Sequence, residues 1–112
     1  MFSSCAKVDE FQHWIYAHPG HSSNDRQEKW KELTRIYSRG VDLTSYEDQL
    51  SKTSWQFSHI LQYPFYYIDY AISELLALTI WDRYKADPAD GVRRYKEGCS
   101  TGASKTVPEI YE

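Results

Sequence analysis

The residues best suited to chemistry cluster around His59, which is followed by Tyr63, Tyr66, Tyr67 and Tyr70 in SHILQYPFYYIDY. Phenols with a pKa near ~10 stay protonated at neutral pH and donate hydrogen bonds. If the chain after Pro64 is helical, Tyr67 and Tyr70 share a face, and Tyr63 and Glu74 extend that stripe on either side. Two donors aimed at one point stabilise an oxyanion forming at an attacked carbonyl, and losing one costs ~10²–10³ in rate. His59, held near the tyrosines across Pro64, would donate a further hydrogen bond or hold a substrate carbonyl. The competing reading is packing, with each ring buried and its hydroxyl satisfied at the edge of a core. For Trp14, Trp30, Trp55 and Trp81, which sit on predicted apolar faces, packing is the better account.

Other chemistries find little support. Hydrolytic zinc needs ligands at helical spacing, such as His-Glu-x-x-His, and the chain has no such motif. His13, His18 and His21 would bind a divalent ion only if the Pro19-Gly20 turn folded them together. The alternative places His13 near a helix C-terminus, where it complements the dipole, and leaves the other two in a loop. No Ser-His-Asp or Cys-His arrangement follows from spacing, and no glycine-rich phosphate loop is present. Cys5 and Cys99 are too few for a disulfide framework and lack metal-ligand spacing, so a reduced, cytoplasmic setting is expected.

The elements that must position these residues follow from composition and pattern. The chain has 112 residues, 13 Lys plus Arg against 16 Asp plus Glu, and a formal charge of -3. That length suits one domain, and the balance gives no cationic excess for nucleic acid. At 41% hydrophobic and 26% charged the composition is that of a globular protein, and its 16% aromatic content is unusually high. MFSSCAKVDEF is no secretory signal, and the most apolar run, Ile72 to Trp81, contains Glu74 and falls short of the ~20 residues that span a bilayer.

A first helix is predicted over about Ser3 to Tyr16, with Phe2, Cys5, Ala6, Phe11, Trp14 and Ile15 on one face. A second is capped by Ser22 with Asp25 and carries a stripe of Trp30, Leu33 and Tyr37. Gly40 ends it, and Thr44 with Glu47 predicts a further capping box opening a short helix through Leu50. Pro64 breaks or kinks the helix holding His59. A long helix then runs to Lys85, and Asp87-Pro88 restarts another that ends near Gly98. GCSTGAS reads as a loop, and Thr106 with Pro108 begins a last helix. No stretch alternates with period two, so the expected class is all-α.

At this point the sequence resembles a known family. HILQYPFYYIDYAISELLALTIW is similar to the C-terminal part of the catalytic domain of oligoendopeptidase F, in the M3 (thimet oligopeptidase-like) metallopeptidases. FQHWIYAHPGHS, KWKELTRIY and SKTVPEIYE resemble flanking segments in the same order, so the resemblance covers residues 1–112. It implies an all-α helical array around a peptide-binding channel. It also implies a zinc ion held by a His-Glu-x-x-His helix and a downstream Glu, and cleavage of oligopeptides. Carried onto this chain, it implies transition-state hydrogen bonding by Tyr67 and Tyr70 and substrate binding by His59, with Tyr66 the alternative register and Tyr63 beside it.

The departure is that the zinc helix lies upstream of the matched region in the family and has no counterpart here. The expectation is therefore a C-terminal piece of the catalytic domain that binds no zinc itself and is inactive alone. Its expected partners are oligopeptides, the missing upstream part of the peptidase, and further copies of itself through an exposed apolar patch. No nucleic acid and no membrane is expected among them. The alternative is a stand-alone, non-catalytic helical module for peptide binding or oligomerisation.

Overall fold

The computed structural model describes residues 1–111. Among them are α1 (Phe2–Ala17), α2 (Ser23–Tyr37), α3 (Glu47–Thr53), α4 (Ser58–Leu61), α5 (Ile68–Ala86), α6 (Pro88–Ser100) and α7 (Val107–Tyr111), with no strand. The all-α expectation holds. No helix among the described residues is long and apolar enough to cross a membrane. The chain divides into two compact units, Met1–Ala71 and Ile72–Glu112.

The first unit is organised around Val8, Phe11, Trp30, Leu33, Trp55 and Ile60, with Trp14, Ile15, Tyr37, Phe57 and Tyr67 packed against them. Phe11 and Leu33 are fully buried, and burial of such side chains stabilises by roughly 1.5–3 kcal/mol each. The Phe11 ring meets Trp30 edge-on at 4.9 Å, which suits the aromatic quadrupole. The buried face of α1 is Cys5, Val8, Phe11 and Gln12, so the expected stripe is corrected at two places. Phe2 is exposed, and a glutamine occupies an interior position that the apolar pattern assigned to hydrophobic neighbours.

Ser22 and Asp25 form the expected capping box at α2, with Ser22 Oγ accepting from the Asp25 N–H at 3.2 Å. The predicted box at α3 does not form. Thr44 instead turns back on Asp42, donating through Oγ1 at 2.7 Å. Glu47 accepts two hydrogen bonds from the Arg35 guanidinium, each 2.7 Å. A bidentate charged partner competes better for this carboxylate than a single backbone N–H does. It holds Glu47 below the usual carboxylate range and ties α3 to α2. Trp30 Nε1 donates to Ser54 Oγ at 2.6 Å just past the end of α3.

In the second unit Asp87 caps α6 as expected, accepting from the Ala89 and Asp90 N–H groups, with Pro88 in the first turn. α6 runs on through Gly98, Cys99 and Ser100, so the expected loop is helical at its start and turns only at Thr101. Ser100 and Thr101 donate their hydroxyls to the Glu97 and Gly98 carbonyls, which satisfies the groups a helix end leaves open. At Gly91 the two helices touch backbone to side: an added Cβ would lie 2.7 Å from Tyr84 Cα.

That contact yields a test. Gly91→Ala should lower stability to urea by ~1–3 kcal/mol, because helix backbone cannot yield as a flexible side chain can. Gly20→Ala, whose Cβ meets nothing within 4 Å, should stay within about 0.5 kcal/mol of the parent.

Candidate functional site

The site grows from an interrupted helix. α4 is a single turn, and its Ile60 is buried in the core of the first unit. Pro64 lacks an N–H and disfavours helical geometry in the residue before it, so α4 cannot continue. Gln62 N–H closes the turn onto Ser58 O at 2.7 Å, and Tyr63 N–H reaches the same oxygen at 3.3 Å. Phe65 then adopts φ 63°, a left-handed conformation uncommon for a bulky residue. Its ring packs on His13 at 4.8 Å and Tyr16 at 5.2 Å, both from α1. After it, Asp69 N–H bonds Tyr66 O at 3.1 Å as the chain enters α5.

This fold-back gathers tyrosines around one imidazole. The His59 ring lies 5.1 Å from Tyr67, 5.6 Å from Tyr70, 6.2 Å from Tyr66 and 6.4 Å from Tyr63. Tyr66 stacks nearly parallel to it at 10°, whereas Tyr67 and Tyr70 present their edges. His59 Nε2 and the Tyr70 hydroxyl are hydrogen-bonded at 3.2 Å, the imidazole tautomer setting which of them donates. Tyr67 and Tyr70 lie 5.4 Å apart, as their spacing predicts, although Tyr67 precedes α5 and only Tyr70 is within its first turn. Tyr66 reaches Tyr70 as well, at 5.6 Å, so both registers of the tyrosine pair converge on one place.

Tyr67 packs against the core of the first unit, and the other rings stand at its surface. Tyr66 is 49% exposed and Tyr70 40%, His59 and Tyr67 are half-buried, and Tyr63 is exposed. That separates them from Trp30 and Trp55, which are buried as packing predicts, whereas Trp81 is 56% exposed and corrects that expectation for its ring. Glu74 is half-buried, and its Oε2 has no hydrogen-bond partner. Partial desolvation first, and the neighbouring Tyr66 second, hold the Tyr70 phenol above its ordinary value. At neutral pH it therefore keeps its proton and remains a donor. A protonated phenol beside an imidazole, both reachable from solvent, can together bind an electron-rich oxygen.

Two contributors escaped the sequence reading. Phe57 packs edge-on against Tyr67 at 5.7 Å and lies 5.9 Å from His59, backing the cluster from the core side. Gln12 donates from Nε2 to His59 O at 3.2 Å and accepts the Phe65 N–H on Oε1 at 3.1 Å. The available signal was a polar residue in the series Cys5, Val8, Gln12, Ile15, on the apolar side of α1.

The three upstream histidines do not converge on a metal. Their Nδ1 atoms bond the Asp9, Trp14 and His18 carbonyls at 2.9, 2.8 and 2.6 Å, and the His18 and His21 rings lie against Trp14. Among the described residues no group of three His, Cys, Asp or Glu side chains is placed to hold an ion. The zinc implied by the family resemblance thus does not fit the donors among the described residues. A groove of about 780 Å³ in the second unit is lined chiefly by apolar residues including Leu76, Ile80, Trp81 and Tyr95. Its lining includes the Cys99 thiol and the Tyr95 phenol but no imidazole or carboxylate.

The phenol makes a pH test possible. Because the folded pKa of Tyr70 lies above its unfolded value, its stabilising contribution is intact below pH ~10 and lost as pH rises through the folded pKa. Tyr70→Phe should lose less stability than the parent as pH is raised above ~10, as read by urea midpoints.

A family model described as Peptidase family M3 matches residues 1–112. No curated protein and no solved structure matches the chain.

Proposed function

The chain belongs to peptidase family M3, and on that premise we propose that it is the substrate-side segment of an oligoendopeptidase F-like metalloendopeptidase. The observation that carries this reading is the solvent-accessible His59–Tyr70 pair with Tyr66 and Tyr67 beside it. In this reading Tyr70 and Tyr67 donate hydrogen bonds to the carbonyl oxygen of the scissile peptide as negative charge builds on it. Such donors act most strongly when fixed in advance and shielded from water. His59 holds Tyr70 in place and binds the substrate alongside it, while Tyr66 and Tyr63 flank the peptide. The zinc of the intact family would supply the activated water, and no group among the described residues is placed to hold it.

The surface of α5 supports placing this segment within a larger catalytic domain. Leu75, Leu78 and Trp81 are exposed, and Ala71 is the buried residue of that 19-residue helix. Large apolar side chains exposed together on one helix mark a surface that meets another protein segment. In the isolated chain those side chains favour self-association. Light scattering at high concentration is expected to show species larger than a monomer, and a strictly monomeric profile would count against this placement.

Activity tests the catalytic reading directly. The purified chain with added zinc should leave an internally quenched peptide uncut, and zinc-dependent cleavage would overturn the proposal. A chimaera in which residues 1–112 replace the corresponding segment of an active oligoendopeptidase F should retain activity. In it, Tyr70→Phe should lower kcat by ~10²–10³ with little change in KM. An equal rate for that variant would remove Tyr70 from the site.

A further inference from the structure

We propose that Gln12 is a positioning residue for the His59–Tyr70 pair, acting through the backbone of the turn between α4 and α5. The inference rests on the reading of that pair as a peptide-carbonyl site. Gln12 is 1% exposed, on a helix face otherwise buried through Cys5, Val8 and Phe11. A primary amide in such a place needs partners for its nitrogen and its oxygen, and Gln12 finds both in a segment distant in sequence. Nε2 donates to His59 O at 3.2 Å, and Oε1 accepts the Phe65 N–H at 3.1 Å.

Both backbone groups need it. In a continuous helix the His59 carbonyl would accept from Tyr63 N–H, but that donor is turned onto Ser58 O. The Phe65 N–H belongs to a residue at φ 63°, a conformation that persists only where its surroundings over-determine it. α1 supplies those surroundings, with Gln12 on the N–H and His13 and Tyr16 on the ring. The amide therefore spans the two ends of the turn that carries Tyr63 and Pro64. It pins the backbone of His59 itself, and with it the direction from which the imidazole meets Tyr70. An aliphatic side chain of similar volume would fill the space and release the turn.

The test is NMR on the 112-residue chain. In the parent, the Phe65 amide and the Gln12 side-chain amide should exchange slowly with solvent, and rapid exchange of both overturns the proposal. Gln12→Leu should abolish the His59–Tyr70 ring contacts seen as cross-relaxation while leaving the resonances of α6 unchanged. Persistence of those contacts in folded Gln12→Leu also overturns it. Should Gln12→Leu not fold, Gln12→Glu decides the matter. Its protonated carboxyl can donate to His59 O and accept from Phe65 N–H, whereas its ionised form can only accept. The contacts should match the parent's at low pH and be lost as the carboxyl ionises; contacts indifferent to that ionisation refute the role. In the active chimaera, Gln12→Leu should lower kcat by about 10²-fold with KM little changed, the signature of misplacement. An inactive chimaera with the parent's NMR contacts intact would overturn the catalytic reading and leave the positioning role standing.

Discussion

A proline has no N–H to give a helix, and at Pro64 that single missing donor governs everything that makes this chain more than a helical array. α4 ends at Leu61 and α5 begins only at Ile68, with Pro64 between them. The break folds the chain back at Phe65, so that Tyr63, Tyr66, Tyr67 and Tyr70 all face the same imidazole. It also leaves the His59 carbonyl and the Phe65 N–H outside helical pairing. Buried or half-buried backbone groups must find partners, and Gln12 supplies both.

The interior of the first unit is arranged around that need. Phe11 and Gln12 are neighbours on α1, the first filling the aromatic core with Trp30 and the second reaching the turn. Ile60, in the single turn of α4, is held in the same core, so His59 has a packed residue beside it in sequence and an anchored carbonyl. α3 is fastened by the charged pair of Arg35 with Glu47 rather than by a cap, and the Trp30–Ser54 hydrogen bond closes its far end. The outcome is an imidazole and phenols standing at a surface, backed by Phe57.

Much of the fold was legible in the sequence because local rules decided it. Ser22 with Asp25 and Asp87 with Pro88 act through side chains that reach their own helix ends, so spacing alone identifies them. Thr44 with Glu47 has the same spacing and failed, because Arg35 lies twelve residues away in sequence yet offers the carboxylate two donors at once. GCSTGAS reads as a loop, yet its start is helical. There the last turn of α6 is sustained by hydroxyl donation to Glu97 and Gly98, which composition does not display.

The site divides in the same way. The types and order of His59, Tyr63, Tyr66, Tyr67 and Tyr70, and the break at Pro64, are properties of the sequence, and they sufficed to nominate a donor cluster and a family. Which tyrosine meets which face of the imidazole was not contained there, because a turn with φ 63° at Phe65 follows no helical period. Gln12 was hidden for a related reason: a glutamine on an apolar stripe looks like an interruption until a partner 47 residues away is brought within 3.2 Å of it. Side chains that bond their own neighbourhood are written in spacing; those that complete a distant backbone acquire their meaning only when the chain has folded.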